Sequence, residues 1–163
     1  MRFWAWGANN YGQLGLGTFT EQENVPVIVR EPGLALDPGS IVRMAGGGGH
    51  TLLLTTEGAV YSTGWNTVGQ LGLGHTQPVS VFTKLDTVCD KIVEIAAGWD
   101  FSILLTEHGE VLTCGSNSFG QLGSLQIMSF SVSKCSKNSK LHCKVRLFCH
   151  VTLFSIYIAE NSS

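Results

Sequence analysis

The sequence predicts an all-β fold assembled from tandem β-propeller blades. Three observations predict it: two patterns that recur at one shared offset, short strand-like runs punctuated by glycine, and a glycine-rich, charge-poor composition. Of 163 residues, 20 are glycine and only 13% are charged, about half the usual share of charge. An apolar fraction of 44% with so little charge argues against a disordered chain. The glycines follow no three-residue period, which excludes collagen.

The first pattern is G-x-N-x-x-G-Q-L-G. It occurs at Gly7-Ala8-Asn9-Asn10-Tyr11-Gly12-Gln13-Leu14-Gly15, again from Gly64 through Gly69 to Gly72, and again from Gly115 through Gly120 to Gly123. The second pattern runs Gly47-Gly48-Gly49-His50-Thr51 into Leu54-Thr55-Thr56-Glu57-Gly58-Ala59-Val60. Its partner runs Gly98-Trp99-Asp100-Phe101-Ser102 into Leu105-Thr106-Glu107-His108-Gly109-Glu110-Val111. Gly47 to Gly98 is 51 residues, as is Gly64 to Gly115. Two motifs locked at one offset mark a tandem unit far more specifically than one short pattern does, and an all-β unit of about 50 residues is of propeller-blade size.

The elements follow in order. Residues 3–17, 41–74 and 92–123 are the blade ends of a repeat region spanning 1–123. Within it, 41–45, 51–55, 59–63, 92–96, 102–106 and 110–114 are rich in Val, Ile, Leu, Tyr and Thr and read as strands. Thr56-Glu57-Gly58 and Glu107-His108-Gly109 fit tight hairpin turns, with Gly supplying positive φ. In Leu52-Leu53-Leu54 and Ile103-Leu104-Leu105 successive side chains point to opposite faces, so an unbroken apolar run predicts a sheet covered on both faces. No window carries a helical period. The aromatics Trp6, Tyr11, Trp65 and Phe119 are expected to pack at the blade ends.

Composition changes sharply at Gly123. Residues 124–163 hold no glycine, five basic residues and one acidic residue, whereas 1–123 hold five basic and eleven acidic. This divergent tail is expected to stand outside the propeller and to replace further blades. Three blades cannot close a ring that needs at least about four, so apolar flanks stay exposed unless capped. Residues 127–132 or 145–158 are apolar enough to cap one flank. The isolated chain is expected to be weakly stable and prone to aggregate.

The paired motifs G-x-x-H-[ST]…L-T-x-x-G-x-V and G-x-N-x-x-G-Q-L-G resemble the repeat of the RCC1 (regulator of chromosome condensation) family over residues 3–123. The resemblance implies a seven-bladed propeller, of which this chain holds about three blades. The strings around Gly46–His50 and Gly98–Phe101, and Gly115 to Gly123, are similar to the secretion-linked exchange factors within that family. What this implies is a guanine nucleotide exchange factor or GTPase-binding module linked to secretion. The partner would be a small GTPase or a secretory-pathway protein, and exchange by so short a form would be weak or absent. A protein–protein interaction scaffold with no GTPase role is the alternative.

In the family, residues around the G-x-x-H motif lie in loops on one face and some contact the GTPase. By motif, the corresponding positions here are His50, Trp99, Asp100 and Phe101, with Trp99 as an interface anchor and Asp100 as the acidic group. The competing reading is that His50 and Asp100 only hold loop backbone. The glycines Gly7, Gly12, Gly15, Gly64, Gly69, Gly72, Gly115, Gly120 and Gly123 read as structural turn positions.

Other classes find little support. Exchange needs no nucleophile or general acid, because it is a linked binding equilibrium, and no catalytic constellation is present. Residues 46–49 lack the G-K-[ST] ending of a phosphate loop. His142-Cys143 and Cys149-His150 lack the C-x-x-C spacing of common zinc sites, so neither metal nor cofactor is expected. A net charge of −2 gives no basic footprint for DNA. No small-molecule substrate is implied. The longest apolar uncharged tail run, 147–159, is short of the ~20 residues a membrane helix needs. Five unevenly spread cysteines read as reduced thiols, which predicts a cytoplasmic or nuclear protein.

Overall fold

A computed structural model describes residues 2–30, 34 and 36–123, together with the backbone of 128–134 and 154–159. The paired His142-Cys143 and Cys149-His150 lie outside the described residues. Among the described residues, eleven strands form three antiparallel sheets. The first sheet has the order β11-β1-β2, where β1 is Arg2–Ala8, β2 is Gln22–Ile28 and β11 is Phe154–Ala159. The second has the order β3-β4-β5-β6, with strands Ile41–Gly46, His50–Thr55, Val60–Gly64 and Val79–Lys84. The third has the order β7-β8-β9-β10, with strands Ile92–Ala97, Phe101–Thr106, Val111–Ser116 and Met128–Lys134.

The predicted strands and hairpins are present. Gly58 donates to the Thr55 carbonyl and Gly109 to the Thr106 carbonyl, at 2.9 and 3.0 Å, closing the two turns. The nine repeat glycines all have φ between +61° and +111°. The requirement is steric at Gly64 and Gly115. A Cβ on Gly64 would strike the Gly49 carbonyl, and one on Gly115 the Asp100 carbonyl. Those same carbonyls accept from Trp65 and Ser116 nitrogens at 2.7 and 3.0 Å.

The expected double cover is realised in a regular way. Leu53 joins a core with Phe3, Ala5, Leu14 and Phe82, between the first and second sheets. Leu52 and Leu54 face the other way, into a core with Ile95, Ala97 and Leu104 of the third sheet. β4 thus turns Leu53 to the preceding blade and Leu52 and Leu54 to the following one, and β8 likewise turns Leu104 to the blade before it. In β8 the equivalent flanking residues, Ile103 and Leu105, are only half-buried.

Two features depart from expectation. The outer strands β2 and β6 carry no motif and escape the sequence pattern. Gln22–Ile28 is largely exposed and contains Pro26, which an edge strand tolerates because its outward N–H needs no ladder partner. The tail, expected to stand outside the blades, contributes two backbone segments to them. Met128–Lys134 pairs with β9, giving the third blade four strands, and Phe154–Ala159 pairs with β1. Composition marks Gly123 as a boundary, but backbone pairing responds only to strand-forming runs such as these.

Candidate partner surface at the motif end of the blades

The β3–β4 and β7–β8 turns and the three G-x-N-x-x-G-Q-L-G loops gather at one end of the strands, because His50 pairs with Gly64 and Phe101 with Gly115. Each loop is built alike. The motif asparagine receives the leucine amide: Leu14 on Asn9 at 3.2 Å, Leu71 on Asn66 at 3.0 Å, and Leu122 on Asn117 at 2.8 Å. The motif glutamine receives an amide two residues before it, from Tyr11, Val68 or Phe119. These side chains therefore shape the loop, while Gln70 Nε2 is buried with no partner among the described residues.

The next bonds tie loop to neighbouring blade. Thr51 donates to the Gln13 carbonyl and Ser102 to the Gln70 carbonyl, both at 2.7 Å. His50 Nε2 stands 2.9 Å from Ser102 Oγ. Because Ser102 spends its single proton on Gln70, His50 must carry its proton on Nε2 and donate to Ser102. His50 Nδ1 is then a buried acceptor with no partner among the described residues. Burial pushes the His50 pKa down to about 4. Cys114, beside the same carbonyl at 3.5 Å, has its thiol pushed up to about 12 by burial.

The predicted site residues therefore separate. His50 is fully buried, and its place among partner-facing residues is corrected: it bonds two blades together in the interior. Phe101, which fills the same position in the next repeat, is half-buried. Trp99 is 53% exposed, and Asp100 beside it is half-buried. Trp99 lies over Gly48, where a Cβ would come within 2.7 Å of its ring, and its carbonyl accepts from the Gly48 amide at 2.9 Å. Tyr11 stacks on Trp65 at 5.3 Å and leans over Gly49. Tyr11 and Trp65 thus stack across the first two blades beside Gly49, and Trp99 of the third blade lies over the adjacent Gly48.

One member was missed. Phe119 was expected to pack at a blade end, yet it is 94% exposed. It holds the motif place of Tyr11, which Trp65 of the following loop covers. The motif position is legible in sequence, but the covering neighbour is not.

The family model for the Regulator of chromosome condensation (RCC1) repeat matches residues 2–54 and 57–105. The chain is 51% identical over 120 residues to the secretion-regulating guanine nucleotide exchange factor of Bos taurus, covering 73% of this chain and 25% of that protein. It is 41% identical over 124 residues to the X-linked retinitis pigmentosa GTPase regulator of Canis lupus familiaris, covering 75% of this chain and 12% of that one. Among solved structures it resembles Prp20p of Saccharomyces cerevisiae, described with its binding to Gsp1p and histones. That match has a TM-score of 0.71 and 28% identity, covering 85% of this chain and 35% of that one. The chain thus spans a quarter or less of the two curated relatives named. The motif loops, the blade packing and these matches together show that the chain belongs to the RCC1 repeat family.

Proposed function

We propose that this chain is a GTPase-binding module of the exchange-factor type, linked to secretion, with weak or no exchange activity of its own. One observation carries the reading: Trp99, 53% exposed at the motif end, sits beside Asp100 and over Gly48 of the preceding blade. A large exposed aromatic held by packed glycines is the kind of residue that anchors a protein interface. The relatives named as an exchange factor and a GTPase regulator, and Prp20p with Gsp1p, support a small GTPase as the partner. Exchange is a coupling of two binding equilibria.

A panel of small GTPases tests this by nucleotide release and by pull-down of the loaded and nucleotide-free forms. The expected result is preferential capture of one nucleotide-free GTPase, weakened by Trp99→Ala, with little acceleration of release. Capture indifferent to nucleotide, or none, would leave the interaction scaffold as the better reading.

A further inference from the structure

The second and third blades differ at two adjacent positions. At the 51-residue offset of the repeat, Gly48 and Gly49 correspond to Trp99 and Asp100. The second blade thus has no side chain where the third has an indole and a carboxylate, and the indole uses the room. A Cβ on Gly48 would lie 2.7 Å from Trp99 Cδ2 and 2.8 Å from Cε2. These two carbons share the bond at which the indole rings are fused. Neither bears a hydrogen, and in the ring plane both are flanked by other ring atoms, so Gly48 can approach the pair only from a face. Gly48 is buried under that face, while Trp99 remains 53% exposed. The indole therefore lies flat on the glycine and turns its other face outward.

The backbone of both residues is fixed. The Trp99 carbonyl accepts from the Gly48 amide at 2.9 Å, and the Asp100 carbonyl accepts from the Ser116 amide at 3.0 Å. The half-buried Asp100 carboxylate accepts no hydrogen bond and forms no ion pair among the described residues. Formal charge at this end of the strands has one sign. Glu23 stands opposite Gly7, two residues after Glu21. The lysines and arginines among the described residues lie toward the other end. Arg2 starts β1, Arg30 follows β2 and Lys91 precedes β7, while Arg43 is opposite Leu54, Lys84 opposite Tyr61 and Lys134 opposite Leu112.

We propose that the outer face of Trp99, together with the Asp100 carboxylate, receives an arginine side chain of the partner. The proposal rests on the reading of Trp99 as the partner anchor and adds the chemistry that the anchor selects. The face of an indole attracts a cation more strongly than that of any other side-chain ring. A guanidinium is planar, so it can stack on the ring and still point N–H groups at a neighbouring carboxylate; a lysine ammonium is a point charge without that fork. No described lysine or arginine of the chain competes for the place, and the ring is already held where a partner would need it, which lowers the cost of ordering it on binding. Gly48 is the positioning residue: any side chain there pushes the ring off its seat.

Fluorine NMR of the full chain, with its four tryptophans replaced by 5-fluorotryptophan, tests this without a known partner. Trp99→Phe identifies the Trp99 signal. A capped glycyl-arginyl-glycine peptide is expected to move that signal alone, saturating in the millimolar range, as suits a single exposed cation–π contact. The lysyl peptide should bind more weakly, and the glutaminyl peptide should leave the signal in place. Asp100→Asn should weaken the arginyl peptide by about two- to fivefold, the scale of one exposed ion pair. Gly48→Ala should shift the Trp99 signal before any peptide is added and weaken the peptide's effect. The proposal is overturned if the arginyl peptide leaves Trp99 unmoved, if the lysyl or glutaminyl peptide acts equally, or if Asp100→Asn changes nothing. Should Gly48→Ala fail to fold, the titrations of the unaltered chain and of Asp100→Asn still decide. The GTPase reading fails separately: arginine recognition without capture of any GTPase strikes that reading alone, and capture of a GTPase by a chain whose Trp99 ignores arginine strikes this proposal alone.

Discussion

His50 donates through Nε2 to Ser102 Oγ at 2.9 Å, joining residues 52 positions apart in neighbouring blades. Ser102 passes the chain of bonds on to the Gln70 carbonyl. The link is made by the motif residue for which the family resemblance implied a partner-facing place, and its burial has a measurable consequence.

Stability should fall as pH drops from 6.5 toward 4. The His50 pKa is lowered from 6.5 to about 4 in the fold. Between those values the unfolded chain binds a proton that the folded chain refuses, so the folded state loses ground as pH falls. The full loss, present below pH 4, is about 3 kcal/mol by linkage. Urea unfolding at a series of pH values measures it. His50→Phe, the residue the next repeat uses at this position, should flatten that part of the profile.

Ser102→Ala should cost about 1–3 kcal/mol, because it leaves the His50 donor and one acceptor site on Gln70 unmatched in the interior. Thr51→Ala, which loses only the bond to Gln13, should cost less. Chemical denaturation midpoints compare the two.

Gly64→Ala and Gly115→Ala should each destabilise the chain by more than about 1 kcal/mol. Both residues have positive φ and both face a backbone carbonyl that cannot move without breaking its own hydrogen bond. Gly74→Ala is the control: it has φ +81° but nothing near its missing Cβ. Thermal unfolding should show the control as the mildest of the three.

Leu54→Ala should cost about 2–5 kcal/mol, the range for a large-to-small change in a closed core. Leu105→Ala, the same substitution at the equivalent position of the next blade, should cost clearly less. Leu54 is 2% exposed, and Leu105 is only half-buried. Equal losses would contradict the reading that the far flank of β8 is incompletely covered.

Alkylation should separate two cysteines. Cys89 is exposed and Cys114 buried, with its thiol pushed up to about 12. The thiolate is the reactive form. Iodoacetamide on the folded chain should label Cys89 and spare Cys114 until denaturant is added, as read by peptide mass spectrometry.

The sequence by itself determined what depends on local spacing. The G-x-N-x-x-G-Q-L-G loops need glycine at fixed places and an asparagine and glutamine within reach of nearby amides, so their composition alone reveals them. The alternation in Leu52-Leu53-Leu54 likewise declares two covered faces. Tertiary structure decided everything that depends on which neighbour arrives. The same motif position is buried as His50 and half-buried as Phe101, and the same loop position is stacked as Tyr11 and bare as Phe119, because a following ring covers one and not the other. The strands Gln22–Ile28 and Val79–Lys84 exist because an adjacent strand offers them hydrogen bonds, a partner that no local pattern names. Phe154–Ala159 is the clearest case. Its residues look like an isolated apolar run until β1, more than 140 positions earlier, gives them a register.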